Sequence, residues 1–291
     1  MKKKVNWSNV ILVMIFLLGL SLLLYPTVSD YWNSFHQSRA IQSYSESVAN
    51  MDNEKYNQLI SDAKAFNKKL AKKKYQWTLT DEEKEEYYSI LNITETGIMG
   101  YIEIPNLNTT LPIYHGSSDA VLQTAIGHIE GSSFPIGGAN THCVVSGHRG
   151  LPSAKLFSDL DKMVEGDYFM LHILDETLTY EVDQIRIVLP EEVKDIEIVK
   201  DNDLCTLLTC TPYGINSHRI LVRGKRTDNP EHIQAQRVAA DAMLMDDFMV
   251  ACIIGIGIVL ILIVWLFVYS WYRRLKHKLE RKREENEKDV L

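Results

Sequence analysis

Two long apolar runs bracket this chain. The first, residues 10–25, carries no charge, with Trp7 ahead of it and Lys2, Lys3 and Lys4 before that. A helix needs about 17–25 residues to cross a bilayer, so this run spans only if Trp7 and Tyr25 complete it at the headgroups. The second, residues 248–272, is uncharged throughout and long enough to span with some tilt. Trp265, Trp271 and Tyr272 crowd its C-terminal end, and Arg273, Arg274, Lys276, Lys278, Arg281, Lys282 and Arg283 come next. Basic flanks mark the cytoplasmic side, so both ends point inward and residues 30–245 lie outside. A cleaved signal peptide is the competing reading of residues 1–29, with Thr27 and Ser29 as small residues at a cleavage site. Either reading exports the chain from residue 30 onward.

Between the runs the pattern changes once. Tyr56, Leu59, Ile60, Ala63 and Leu70 recur at helical spacing among Lys64, Lys68, Lys69, Lys72, Lys73 and Lys74, which predicts solvated helices over 31–95. From Gly97 to about Arg226, short apolar or β-branched runs alternate with Gly, Pro, Asn and Asp. Strands are predicted at 101–104, 111–114, 141–146, 168–174, 177–189, 196–199, 205–210 and 220–222. Short helices are predicted at 118–129, capped by Asp119, and at 154–163. Eight short strands with turn signals define an all-β barrel or sandwich. Residues 227–245, with Ala239, Ala240, Ala242, Met243 and Leu244, read as a helical lead into the second run.

Charge sharpens this division. The 291 residues carry 31 basic and 38 acidic side chains, a formal net charge of −7. Residues 1–29 hold three Lys and no acid, residues 273–291 hold eight basic and five acidic groups, and the middle holds 20 basic and 33 acidic groups. An acidic exported region argues against nucleic-acid binding, which needs a basic surface. Its length, about 215 residues, suffices for one domain with a substantial core. Of four cysteines, Cys252 lies in the second run, and Cys143, Cys205 and Cys210 lie in the exported part. Three is odd, so at least one exported thiol is free or bridged to another molecule.

Cys210 ends an apolar strand just before Pro212 and Gly214, where a reactive group is both held and exposed. A returning strand from Ser217 places Arg219 near it across the ladder, where a cation lowers a thiol pKa or stabilises an oxyanion. His148, just past the strand 141–146, is a candidate base. The residues alone do not choose among His115, His128, His142, His148 and His218, and a buried inert Cys210 is the bland alternative. Zinc ligation by His142, Cys143, His148, Cys205 and Cys210 is disfavoured. No C-x-x-C or H-x-x-x-H pair occurs, and Cys205 and Cys210 have opposite strand parity. No acidic cluster suggests Ca2+.

Taken together, Thr206-Leu207-Leu208-Thr209-Cys210, His218-Arg219-Ile220-Leu221-Val222-Arg223-Gly224 and Ser146-Gly147-His148-Arg149-Gly150-Leu151-Pro152-Ser153 resemble the sortases. The likeness is specifically to the pilus-assembling class C sortases of Gram-positive bacteria. Gly100-Tyr101-Ile102-Glu103-Ile104-Pro105 resembles the opening strand of their barrel, and Leu156-Phe157-Ser158-Asp159-Leu160 matches the class C pattern after the His. The resemblance covers about residues 97–226 and implies a mainly β fold, a closed barrel of about eight strands with short helices. The organisation expected is an anchor or signal peptide (1–29), a helical appendage (30–96), the barrel (97–226), a helical lead (227–247), a transmembrane helix (248–272) and a basic cytoplasmic tail (273–291).

The resemblance further implies a cofactor-free, metal-free cysteine transpeptidase. Cys210 attacks the Thr carbonyl of a Leu-Pro-x-Thr-Gly-like sorting signal, His148 protonates the departing Gly amine, Arg219 supports the oxyanion or the substrate, and Thr209 contributes to substrate binding. A pilin Lys amine resolves the thioacyl enzyme. The implied partners are pilins or other surface proteins bearing such a signal, at the membrane. The alternatives are a sortase attaching proteins to the cell wall, and a catalytically degenerate membrane-anchored scaffold. One departure from class C stands out. The Asp-Pro-aromatic motif that anchors their lid is missing from residues 75–98, so either no lid exists or Trp77, Tyr87 or Tyr88 plugs the site without it.

Overall fold

In the computed structural model, residues 7–229 are described together with Gly255, Gly257, Trp265, Tyr272, Arg273 and Lys276. The predicted helical lead beyond residue 229, and all but those few positions of the second apolar run and its tail, lie outside the described residues. Trp7–Ala49 forms one helix, α1, of 43 residues that runs through Pro26. Proline removes one intrahelical hydrogen bond there without ending the helix. Ile11, Leu12, Met14, Ile15, Leu18, Leu22 and Leu23 are all exposed, and the helix is long and apolar enough to cross a membrane. Its polar second half grips the barrel. The Asp30 carboxylate accepts from the Lys155 amide (2.6 Å), and the Asn33 and Gln37 side-chain amides donate to the Ser153 and Thr124 carbonyls. The buried Tyr44 hydroxyl donates to the Met99 carbonyl and accepts from the Leu174 amide.

The predicted helical appendage is two further helices, α2 (Asn53–Leu70) and α3 (Asp81–Ser89). Asp52 caps α2 by accepting from the Lys55 amide, and Thr80 with Glu83 forms a reciprocal capping box on α3. Phe66 and Tyr87 pack on Phe134, and Asn67 exchanges two hydrogen bonds with the Phe134 backbone. These helices are therefore part of the core and not a solvated adjunct.

Eight strands close the barrel: β1 Ile98–Ile104, β2 Thr109–His115, β3 Ile126–His128, β4 Thr141–Ser146, β5 Tyr168–Ile173, β6 Glu176–Val188, β7 Asp203–Thr211 and β8 His218–Thr227. Their order around the barrel is β1-β2-β3-β4-β7-β8-β6-β5. Seven of the eight predicted strands are present. The predicted helix 118–129 is only a short α4 (Asp119–Leu122), and its tail is β3, parallel to β2. Gly127 permits that pairing, because a Cβ there would collide with the Gly116 backbone. The predicted strand at 196–199 is instead the end of a 3-10 turn, Lys194–Ile196, and the segment after it. The predicted helix 154–163 reduces to a 3-10 turn at Leu160–Lys162. Leu156 (φ 38°) breaks it, and its apolar residues Ala154, Phe157, Leu160 and Met163 are core-facing loop positions.

One pairing of strands sets the geometry of a whole rim of the barrel. β4 and β7 are parallel neighbours, with Cys143 opposite Cys205 and Ser146 opposite Leu208. Parallel strands need a long crossover, which here contains β5 and β6. Both strands therefore end at the same rim. Along each, residues alternate between two apolar clusters. Cys143, Val145, Cys205, Leu207, Ile220 and Val222 belong to the main core. Val144 and Leu221, with Val188, Ile196, Leu208 and Trp77, form a second cluster on the opposite face.

Candidate active site

Cys210 is the penultimate residue of β7, half-buried and free, directly opposite Arg219 on β8. Beyond β4 the ladder continues for one more bond, from the Gly147 amide to the Leu208 carbonyl (3.0 Å). His148 is the next residue of the turn that leaves β4 at this rim. Cys210 and Arg219 thus share one rim and one strand face, and the turn bearing His148 leaves β4 at that rim. Among the described residues, neither the His148 ring nor the Cys210 thiol hydrogen-bonds to another side chain. The Arg219 guanidinium donates to the Asn216 and His218 carbonyls, both at 3.0 Å, so it is held by its own loop. Thr209 points to the buried face and donates to the Gly147 carbonyl (2.7 Å), bracing the turn that presents His148.

The other histidines separate by position. His115 and His128 pack against Tyr87, with the His128 ring 2.9 Å from the tyrosine hydroxyl. His142 is buried between the Glu197 carbonyl and the Thr206 hydroxyl, both at 2.8 Å. Burial pushes its pKa down to about 4, so it is neutral at physiological pH. His218 lies at the rim but opposite Thr211, one residue from the Cys210–Arg219 pair and on the other face. Among the described residues, no group of three His, Cys, Asp or Glu side chains is arranged to hold a metal ion.

Sequence reasoning missed the residues that fasten the His148 turn. Arg149 is largely buried, bonds Asp161 (2.5 Å) and reaches the Thr211 hydroxyl (3.3 Å), tying the residue after His148 to the residue after Cys210. Gly150 (φ 79°) lies so close to the Tyr213 ring that a Cβ would approach it to 2.6 Å. Phe157 packs under Gly147 in the same way. Arg149 was readable only as part of the motif, since nothing in its spacing announces a partner twelve residues on.

The three aromatic candidates for a plug also separate. Tyr87 is fully buried in the core, and Tyr88 bonds Glu130. Trp77 instead lies in the outer-face cluster with Leu208, two residues before Cys210. Its segment is tied down by the Lys73 ammonium on the Thr78 carbonyl (2.6 Å) and by Gln76, which bonds Gly131 and Ile198.

A family profile described as the sortase domain matches residues 102–227. The structure is similar to sortase C1 of Streptococcus agalactiae, at 54% identity over 66% of this chain and 99% of that one, with a TM-score of 0.64. It is similar to sortase C of Streptococcus pneumoniae, described in connection with catalysis and pilin substrate specificity, at 45% identity over 66% and 97% (TM-score 0.60). Sortase C of Clostridium perfringens, solved with the C-terminal cell wall sorting motif, is 45% identical over 66% and 99% (TM-score 0.59). The chain spans 66% and 47% of the length of the curated relatives it matches. It belongs to the sortase family, and its structural neighbours are class C sortases.

Proposed function

We propose that this chain is a membrane-anchored cysteine transpeptidase that joins pilin subunits. The observation carrying this reading is the pairing of Cys210 with Arg219 at the rim where β4 and β7 both end and the turn bearing His148 begins. The Cys210 thiolate adds to the Thr carbonyl of a Leu-Pro-x-Thr-Gly-like signal, giving a tetrahedral oxyanion that Arg219 donors stabilise. To do so, the guanidinium exchanges its Asn216 and His218 carbonyls for substrate. Collapse breaks the Thr–Gly C–N bond, and protonated His148 supplies the proton the leaving amine needs. A Lys amine of the next pilin then attacks the thioester, transfers a proton to His148 and releases Cys210 as thiolate. The thioester conserves the acyl energy, so no nucleotide is needed outside the cell.

Trp77 packs against the outer-face cluster of Val144, Val188, Ile196 and Leu221, with its ring and backbone against Gly131. Of the three aromatics, Trp77, tethered through Lys73 and Gln76, is the one we assign to stand in for the missing Asp-Pro-aromatic anchor. The apolar half of α1 is the uncleaved anchor, because the same helix continues into the Asp30, Asn33 and Gln37 contacts beside the His148 turn. Both basic ends are cytoplasmic, and residues 30–245 face outward. In protoplasts, added protease is expected to remove that region and spare the basic tail; loss of the tail instead would reverse the topology.

The chemical test is incubation of the full chain with a Leu-Pro-x-Thr-Gly peptide and an amine acceptor. Cleavage between Thr and Gly, a thioacyl adduct on Cys210 by intact mass and an amide-linked product are expected. Turnover by Cys210→Ala would overturn the mechanism.

A further inference from the structure

Two of the three exported thiols take no part in this chemistry, and their placement is unusual. Cys143 on β4 and Cys205 on β7 are direct partners in the parallel ladder. Both point into the barrel core, 2% and 0% exposed. Paired residues on adjacent strands lie about 4.8 Å apart, inside the ~4.4–6.8 Å range of Cα separations that a disulfide spans. Both are free thiols in the structure, facing one another across the ladder. Cys210 is excluded as a partner. It lies on the opposite face and five residues along β7, about 16 Å from Cys205 at ~3.3 Å per residue.

We infer that Cys143 and Cys205 are joined by a disulfide in the exported protein, a modification site that staples β4 to β7 inside the barrel. The inference rests on the proposed export of this region and not on the chemistry at Cys210. Outside the cell thiols are not kept reduced, and the odd cysteine count resolves into one bridge and one reactive thiol. The bond forms while the barrel is still open after export, because the closed core excludes an oxidant. One thiolate attacks a small-molecule or protein disulfide, expels a thiol and leaves a mixed disulfide. The second thiolate attacks that bond, expels the second thiol and closes the bridge. Two protons and two electrons leave the pair, and the oxidant's disulfide becomes two thiols.

The staple lies five residues before both His148 and Cys210. It therefore locks the register that brings β4 and β7 to that common rim, since a slip of one residue moves every side chain to the other face.

Cells making the full chain are quenched in acid, unfolded in denaturant and treated with N-ethylmaleimide. Two adducts, at Cys210 and Cys252, are expected without reductant and four with it, together with a cross-linked peptide pair containing Cys143 and Cys205. Four adducts without reductant overturn the inference. A second measurement guards against artefacts of unfolding. Reductant is expected to lower the Tm of the purified protein by about 5–15 °C, and to leave a Cys143→Ala/Cys205→Ala variant unmoved. An equal response in both also overturns it. Four free thiols in a chain that still cleaves peptide through Cys210 removes the staple and keeps the transpeptidase. The cross-link in a chain that never cleaves does the reverse.

Discussion

Cys205 and Cys210 stand five residues apart on one strand, with the same thiol and opposite chemistry. Cys205 is fully buried among Leu207, Cys143 and Val222, where burial pushes its thiol well above the ordinary range. Cys210 is half-buried at a rim, opposite a guanidinium. Strand parity and distance from the end of the ladder account for the difference, because an odd offset crosses from the core face to the outer face. A nucleophile needs rigidity from the strand and access from the rim, and only the last two residues of β7 offer both.

The largest expected effect breaks this contrast directly. Cys210→Ala should lower peptide cleavage by on the order of 10⁴-fold or more without moving Tm. Cys205→Ala should leave kcat within a few-fold while costing about 2–5 kcal/mol of stability, because it removes the inferred staple, read by thermal unfolding. If both variants lost activity equally with no change in Tm, the assignment of roles by strand face would be wrong. Next in size, His148→Ala is expected to cost about 10²–10⁴-fold in kcat, and Arg219→Ala about 10²–10³-fold. Placed on the other face, His218→Ala should change kcat by less than about ten-fold, and a loss equal to that of His148→Ala would transfer the acid–base role to His218.

The barrel strands and the Cys210–Arg219 pair were legible from sequence because they rest on local alternation and a nine-residue return. β3 was not, since three residues carry too short a pattern to outvote a capped helix start at Asp119. Apolar spacing at 154–163 misled for a related reason: a loop packed on the core repeats apolar residues at helix-like intervals without helical dihedrals. The partner of His148 was legible only as a motif, because its alignment with Cys210 depends on a parallel crossover of more than fifty residues. The Cys143–Cys205 pairing depends on the same crossover.

A smaller effect concerns the outer face that Cys210 shares with Leu208 and Trp77. On the proposed plugging role, Trp77→Ala should raise the rate of peptide cleavage by about 3–10-fold at subsaturating substrate, mainly through KM. Its buried indole Nε1 has no hydrogen-bond partner, so the ring holds its place by packing and departs without an uncompensated bond. An unchanged KM would mean that Trp77 is a fixed part of the outer cluster.

The same face carries the comparison to its limit, because His142 and His148 have the same parity on one chain segment, six residues apart. Parity therefore does not separate them; coverage does. The chain at Glu197 seals His142, whose pKa falls to about 4 from an ordinary 6.5 through burial. Above pH 6.5 both the folded and unfolded forms of this group are neutral. As pH falls from 6.5 toward 4, the unfolded chain takes up a proton that the folded chain refuses, so stability drops across that window. The full loss is about 3 kcal/mol. His142→Gln removes the titration, so the stability gap between wild type and variant should narrow by that amount between pH 7 and pH 4. Thermal unfolding across the range reads it directly. Parallel curves for the two proteins would show that His142 titrates as an open histidine, and that position on the strand alone, without burial, distinguishes it from His148.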